Sequence, residues 1–316
     1  MLSRNAESLF WTSRYMERAD NLARHMEVGY RMSMIPAQSG GYASEWNSIL
    51  TATNTIDQFS QRYADESEEN VAQFLIYDGS HPSSIASCLR IARDNARQVR
   101  TAITSEVWLA INQMYLAFRE FENNPASRLE LPELCDWVKR QASMVRGAFI
   151  NTQLHNDGSN FFSLGYFVER ADNTARALDI KYHILLPTIE VVGGGIDNYQ
   201  WSTLLRALGA YRSFHWEYGG DHTPAKVAEF LILNRRCPRS LSHCVRQTAK
   251  QLDKLCSSYQ KYSPAQTHAL HMLDDISSTS VDQIISSGLH EYLRDFIVEN
   301  NHLAERIGES FLFGER

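Results

Sequence analysis

The sequence of 316 residues predicts an all-α protein, an internally duplicated multi-helix bundle with pseudo-two-fold symmetry. The octapeptide Glu-Arg-Ala-Asp-Asn-x-Ala-Arg begins at Glu17 and again at Glu169, which is 169 − 17 = 152 positions later. No Asn-Gly or Asp-Gly turn separates alternating apolar runs, so strands are not favoured. We therefore expect one fused domain over residues 1–316, with halves at about 1–143 and 144–316.

The first octapeptide lies in a segment with the periodicity of an amphipathic helix. At 100° per residue, the apolar side chains share one arc and the polar side chains share the opposite arc. The polar arc holds Arg14, Glu17, Asn21 and Arg24. We expect this helix to run from about residue 3 to about residue 34, because Pro36 and the Gly40-Gly41 pair would end it.

Paired segments follow each octapeptide at a nearly constant spacing. The run Glu45–Leu50 resembles Gln200–Leu205, and Val71–Ile76 resembles Val227–Ile232, with 227 − 71 = 156. Two helix starts follow, with Pro82 and Pro238 expected in the first turn, where the missing N–H needs no partner. Further helices are expected at about 104–123, 132–154, 198–216, 265–277 and 280–312, with the loop of the second half at Gly193–Gly195.

The repeated polar face allows two interpretations. A solvated face would gain only about 0.2–0.5 kcal/mol for each Glu–Arg pair and would tolerate most polar substitutions. The two copies keep the same polar types at five places, however, which favours a buried or half-buried network with a structural or a ligand-binding role. The residues of this candidate network are Arg14, Glu17, Arg18, Asp20, Asn21, Arg24, Glu169, Arg170, Asp172, Asn173 and Arg176.

A stripe of four arginines forms a second candidate. Arg90, Arg93, Arg97 and Arg100 are spaced to share one helical face, and Asn95 lies between them. Such a stripe repels itself unless carboxylates or an anion lie opposite. The arginines could therefore pair with the acidic residues of the octapeptides inside the bundle, or they could hold an anionic substrate. The second half has no equivalent stripe, which predicts one functional centre, and nearby Trp108 is expected in the core.

Composition excludes several classes of protein. With 31 Lys+Arg and 37 Asp+Glu the net charge is −6, so no basic field favours nucleic acid. The five cysteines are widely spaced and form no Cys-x-x-Cys pair, which favours reduced thiols. Glu7 lies where a secretory signal would need the start of its apolar run, which argues against such a signal. No apolar run of about 18 residues, the length of a membrane span, occurs in the sequence. We expect a cytoplasmic protein that does not contact a membrane.

Motifs for autonomous chemistry are missing from the sequence. No nucleophile elbow, Walker-type phosphate loop or dinucleotide-binding glycine pattern occurs. His268, His271 and Asp274 could align on one helix, but isolated histidines of this kind more often lie in the core or on the surface. We therefore expect no metal and no cofactor.

These motifs together resemble the Alpha-E family of all-helical bacterial domains, which is defined by a Glu-Arg motif. The resemblance spans essentially the whole chain and is carried by Leu2–Ala19, by Pro82–Asn112 and by Phe162–Arg176. Family members usually have a Gly-Arg-Tyr-like run before each Glu-Arg. Here the first run is Ser13-Arg14-Tyr15, and the second, Gly165-Tyr166-Phe167, lacks the arginine.

The resemblance implies a function and two partners. Alpha-E proteins are encoded beside, or fused to, circularly permuted ATP-grasp proteins and transglutaminase-like proteins, in systems proposed to make, attach or remove a peptide. The expected function is a non-autonomous component of an ATP-grasp amide-ligase system that binds an anionic peptide, acyl phosphate or nucleotide, or that supports the ATP-grasp partner. Two alternatives stay open: an enzyme with Glu17 or Glu169 as acid or base, and a structural scaffold with buried ion pairs.

Overall fold

The structure, a computed structural model, describes the backbone of residues 1–34, 45–185 and 195–314, and the side chains of these residues except 181–185 and 195–197. The described residues form α-helices and no strand, as the sequence predicts. The helices are α1 Ser3–Ser33, α2 Glu45–Ala52, α3 Ile56–Ser60, α4 Glu68–Ala72, α5 Ile85–Gln98, α6 Ser105–Asn123, α7 Leu131–Thr152, α8 Asp157–Leu185, α9 Gly195–Ala207, α10 Tyr211–Tyr218, α11 Pro224–Ala228, α12 Leu241–Tyr259, α13 Pro264–Ser278, α14 Val281–Ser287 and α15 Leu289–Ser310.

Helices α1 and α8 form the centre of the bundle and pack against each other. Helix α1 also contacts α2, α5, α7 and α9, while α8 contacts α2, α9, α12 and α15. Both arcs of α1 are consequently buried, so that Met16 and Glu17 are each only about 5% exposed. The two helices cross closely at Gly165, where an added Cβ would lie 2.1 Å from the carbonyl oxygen of Phe10.

Most helix positions agree with the sequence, but two expected helices are each broken in two. The expected first helix is confirmed, although Pro36, Gly40 and Gly41 lie outside the described residues, as do Gly193 and Gly194. The prediction of a single helix over 198–216 was wrong, because the chain leaves the helix at Gly209, which adopts φ +66° between α9 and α10. The prediction of a single helix over 280–312 was also wrong, because Gly288 adopts φ +101° between α14 and α15. Glycine takes these angles without the steric cost of a Cβ.

The two helix starts at Pro82 and Pro238 are placed differently from expectation. The N-terminal caps are Ser84 and Ser240, so each proline lies two residues before the cap and outside the first turn. The hydroxyl of Ser84 accepts a hydrogen bond from the backbone N–H of Ser87 at 3.1 Å. Serine caps satisfy N–H groups that have no partner within the helix.

Short π-helical turns occur at corresponding places, over Gln73–Tyr77 after α4 and over Glu229–Leu233 after α11, with 229 − 73 = 156. Each turn directs three successive apolar side chains into the core. The pseudo-two-fold relation of the complete halves stays a prediction. All five cysteines are buried free thiols, as expected. Among the described helices, none is both long and apolar enough to cross a bilayer.

Candidate functional site

The Glu169 carboxylate lies between two arginines of the opposite central helix. Arg14 Nε donates to Glu169 Oε2 at 2.8 Å. Arg18 binds the same carboxylate through two nitrogens, with Nε at 2.5 Å from Oε1 and Nη2 at 3.0 Å from Oε2. The Glu169 side chain is 2% exposed. The bidentate pairing of Arg18 with Glu169 is among the strong hydrogen-bond geometries that a guanidinium can make with a carboxylate.

The reciprocal pair joins Glu17 of α1 to Arg170 of α8. Arg170 Nε lies 2.7 Å from Glu17 Oε1, and its Nη2 lies 3.2 Å from Oε2. A second arginine, Arg239, approaches from the segment before α12. It donates to Asp20 Oδ2 at 2.8 Å and to Asn21 Oδ1 at 3.0 Å, and its Nη1 lies 3.5 Å from Glu17 Oε1. Each carboxylate of the two Glu-Arg motifs thus faces two arginines.

The last arginine of each octapeptide links its helix to the end of a neighbouring helix. Arg24 Nε donates to Asp20 at 2.9 Å, while its Nη1 donates to the carbonyl of Ala207, the last residue of α9, at 2.6 Å. Arg176 likewise donates to Asp172 at 2.7 Å and to the carbonyl of Ala52, the last residue of α2, at 2.9 Å. A cation there satisfies a free carbonyl and complements the helix dipole.

The octapeptide asparagines complete this network. Asn21 Nδ2 donates to the carbonyl of Glu17, and Asn173 Nδ2 donates to the carbonyl of Glu169, each at 2.7 Å. All eleven residues of the candidate network therefore lie together, in one layer between α1 and α8 with the ends of α2 and α9 beside it. The arrangement is reciprocal, because each half supplies arginines to the glutamate of the other.

Arg239 is the network residue that sequence reasoning missed. Its equivalent in the first half is Ser83, since 239 − 83 = 156, and Ser83 accepts a hydrogen bond from Arg18 at 3.3 Å. The equivalent of Arg14 is Tyr166, since 166 − 14 = 152. The second half thus lacks the arginine before its Glu-Arg motif and carries one before α12 instead. Comparing the paired segments for exchanged charges would have found it.

The network holds more positive than negative groups. Its six guanidiniums belong to Arg14, Arg18, Arg24, Arg170, Arg176 and Arg239, and its four carboxylates to Glu17, Asp20, Glu169 and Asp172, so that 6 − 4 = 2 positive charges are in excess. The side chains of Arg18 and Arg176 are 23% and 20% exposed, which lets water share their charge. This partial exposure matters because a positive charge that is buried without a partner would destabilise the fold.

Two carboxylates of the network, those of Glu169 and Asp20, have lowered pKa values and are stabilised as anions. Burial alone would raise the pKa of Glu169, but Arg18 and Arg14 outweigh it and lower the pKa to about 2. Burial opposes the same outcome at Asp20, where Arg24 and Arg239 lower the pKa to about 2. Beside Glu17 lies a gap of about 20 Å³, bordered by Arg146 and Tyr166. This gap has room for about one water molecule.

The arginine stripe lies on the outside of α5. The alternative in which it pairs with Glu17, Asp20, Glu169 and Asp172 inside the bundle was therefore wrong. Those carboxylates are taken by the arginines described above. Arg90, Arg97 and Arg100 are exposed, and Arg93 and Asn95 are half-buried. The stripe faces outward because the apolar stripe of the same helix, which includes Leu89, Ala92 and Ala96, packs inward.

Aromatic rings of α6 support the stripe. Arg93 Nε donates to Asn112 Oδ1 at 2.9 Å, and its Cζ lies 4.8 Å from the ring centroid of Tyr115. Trp108 is half-buried and packs on the core, and the guanidiniums of Arg93 and Arg100 lie 5.9 Å and 5.1 Å from its ring. Trp108 therefore also serves as a platform for cations, beyond the core role expected for it.

The histidines of α13 are separated by the fold. His268 is buried and its Nε2 lies 3.0 Å from Glu299 of α15, whereas His271 and Asp274 are exposed. Glu299 and His302 have the Glu-x-x-His spacing of bundle metal sites. Among the described residues, no three metal-ligating side chains converge.

Acidification is expected to destabilise the fold through two buried histidines. Desolvation lowers the pKa of His25 and of His81 from 6.5 to about 4. Because the folded pKa is depressed, the unfolded chain binds more protons between these values. The contribution of each histidine to the free energy of unfolding is therefore fully present above about pH 6.5. It is lost as pH falls toward 4, by up to about 1.4 kcal/mol per pH unit for each histidine.

Urea unfolding at a series of pH values measures this slope. His81→Phe keeps the ring stacked on Phe74, 4.3 Å away between centroids, and should reduce the slope by about one histidine's share. The His155→Gln variant is the matched control, because it removes a histidine that is exposed and not buried. Equal slopes for the wild type and His81→Phe would contradict this origin.

The fold and the network define an all-helical protein whose two central helices are joined by reciprocal Glu-Arg pairs. The chain belongs to the Alpha-E family, described as a predicted alpha-helical domain with a conserved ER motif, whose model matches residues 1–312. No curated protein and no solved structure matches the chain.

Proposed function

We propose that this protein is a non-autonomous, cytoplasmic component of an ATP-grasp amide-ligase or peptide-tagging system and that it contributes an anion-binding surface. The observation that carries this proposal is the exposed arginine stripe on α5. Within the described part of the chain, Arg90, Arg97 and Arg100 make no ion pair. Arginine's planar fork suits carboxylates and phosphates, the groups of an acidic peptide, an acyl phosphate or a nucleotide.

The support beneath the stripe favours binding over simple solvation. Asn112 and Tyr115 fix the guanidinium of Arg93, and Trp108 lies under that of Arg100. Side chains held in this way lose less conformational entropy when they bind an anion. The same surface could be used by a ligand of the system or by an acidic face of the circularly permuted ATP-grasp protein.

The geometry gives little support to the alternative in which Glu17 or Glu169 is an acid or base. A carboxyl group with a pKa of about 2, such as Glu169, is a weak base at neutral pH. The gap of about 20 Å³ beside Glu17 is too small for a substrate. The Glu-Arg network is better suited to joining α1 and α8, so the scaffold role belongs to the network and the binding role to the stripe.

A double variant of the stripe tests the proposal. Arg97→Gln with Arg100→Gln should weaken binding to the ATP-grasp protein, or to an acidic peptide, roughly tenfold, since each exposed ion pair contributes up to about 1 kcal/mol. Calorimetric titration with the circularly permuted ATP-grasp protein, the transglutaminase-like protein and a polyglutamate peptide measures the effect. Thermal unfolding should be unchanged, because both side chains are exposed.

The matched control removes two exposed arginines from α15, through Arg294→Gln with Arg306→Gln. It changes the net charge by the same amount and should bind as the wild type does. Wild-type protein that binds none of the three probes would refute the proposal, as would equal losses in the two double variants.

A further inference from the structure

We propose that a cleft between α7, α8 and α12 is a second binding site, which receives the oxyanion end of a small ligand, a carboxylate or a phosphate monoester. The cleft has a volume of about 210 Å³ and lies apart from the arginine stripe. Sites that enclose a whole drug-sized molecule usually measure roughly 300–1,000 Å³. This cleft therefore suits one end of a ligand.

The charge of the lining indicates an anion. Arg146 and Lys254 border the cleft, and none of its lining side chains is a carboxylate. The remaining polar groups include the side chains of Asn160, Ser163 and Gln247. These three make no side-chain hydrogen bond with the described residues, so their polar atoms are available to a ligand.

Arg146 supplies the observation that points most directly to a missing partner. Its Nη1 atom is buried and has no hydrogen-bond partner among the described residues. Its guanidinium lies 3.6 Å from the ring centroid of Tyr166 and 5.6 Å from that of Phe149, which fixes its position. Arginine keeps its charge and its five N–H donors, so a buried Nη1 atom needs an acceptor, which an anion in the cleft would supply.

The start of α8 adds to the positive potential of the cleft. Ser159 and Asn160 lie in the first turn of this 29-residue helix, whose N-terminal end carries a partial positive charge. Asp157 of the same turn does not line the cleft, and its carboxylate faces Ser258 at 3.2 Å. The lining thus combines a helix start, a half-buried arginine with one unpartnered nitrogen, and a lysine at the rim.

The apolar part of the lining indicates what lies next to the oxyanion. Phe149 and Ile150 border the cleft, and Ile150 is 57% exposed. A flat or branched apolar group joined to the oxyanion would cover this surface. Benzoate and phenyl phosphate are therefore suitable probes, because they present the two oxyanions on the same ring, and benzamide is the uncharged match for benzoate.

The experiment titrates the isolated full-length protein with the three probes at constant ionic strength, by calorimetry. We expect saturable binding of benzoate, phenyl phosphate or both, and none of benzamide. Lys254→Gln should weaken that binding about fivefold, the effect of one partly screened charge. Lys250→Gln, an exposed lysine of α12 outside the cleft, should have no effect.

Ser163→Asp provides a second, opposite test. The new carboxylate would occupy the cleft beside Arg146, so this variant should lose probe binding and unfold at a higher temperature than the wild type. Binding of neither anion, equal binding of benzamide, or equal affinities of Lys254→Gln and Lys250→Gln would overturn the proposal. This titration uses the isolated protein without the ATP-grasp protein. A failure of the proposed binding to the ATP-grasp protein would therefore not change the outcome of the titration.

Discussion

Glu169→Gln is expected to lower the free energy of unfolding by about 3–5 kcal/mol, the usual cost of breaking a buried ion pair by removing one partner. The substitution leaves Arg14 and Arg18 beside a neutral amide that cannot offset two positive charges. Because the network already has two excess positive charges, the loss is not relieved by other groups. Urea denaturation followed by circular dichroism at pH 7 measures the change.

Two further variants test whether the loss of stability in Glu169→Gln comes from the broken buried ion pair. Glu305→Gln removes an exposed glutamate of α15 and should change stability by less than about 0.5 kcal/mol. Combining Glu169→Gln with Arg18→Met should cost less than the sum of the single changes, because the second removes a charge that the first left unpaired. A Glu169→Gln protein as stable as the wild type but inactive in its pathway would instead support an acid or base role for Glu169.

Gly165→Ala is expected to destabilise the protein by about 3 kcal/mol, the upper end of the range for overpacking. The new methyl group would lie 2.1 Å from Phe10 O and 2.3 Å from Ser13 Oγ. The first contact is with backbone, so α1 and α8 must move apart and carry their ion pairs with them. Thermal and urea unfolding both measure this loss.

Gly147→Ala is the matched control, because Gly147 lies in α7 and an added Cβ meets nothing within 4 Å. Alanine is favoured over glycine inside a helix by about 0.5–1 kcal/mol, so this variant should be slightly more stable than the wild type. Similar stabilities for the two variants would show that the close crossing at Gly165 does not limit the packing of the central helices.

The repeated octapeptide predicts a large part of the central layer. Helical periodicity places Glu17, Asn21 and Arg24 on one face, and burial then requires that these groups be paired. The sequence does not reveal which arginine meets which glutamate, because the pairs join residues about 150 positions apart. The crossing of the two helices decides it, and only the folded chain shows that crossing.

The orientation of the arginine stripe could not be predicted from its spacing alone. Periodicity shows that Arg90 and Arg97 share a face, but not whether that face meets water. Self-repulsion suggested an inward position opposite carboxylates, yet water and salt screen exposed charges effectively. The apolar positions on the other side of α5, such as Leu89 and Ala92, were the more reliable signal.

Arg239 escaped prediction for a different reason, since the paired segment of the first half carries a serine, Ser83, at the equivalent position and so gives no repeated charge. The second half also has Tyr166 where the first half has Arg14. Only the fold shows that Arg239 reaches Asp20 and Asn21 of α1. Arg146 has no repeated counterpart either. Charges that are supplied from different elements leave no local pattern in the sequence.

The exchange of arginines between halves has a consequence for the order of events during synthesis. Glu17 leaves the ribosome 170 − 17 = 153 residues before Arg170, an interval of roughly 8–30 s at about 5–20 residues per second. During this interval the polar face of α1 has no partner from the second half, so the nascent first half cannot bury it. The complete set of buried ion pairs in the central layer can therefore form only after α8 and the segment before α12, which supplies Arg239, have been synthesised.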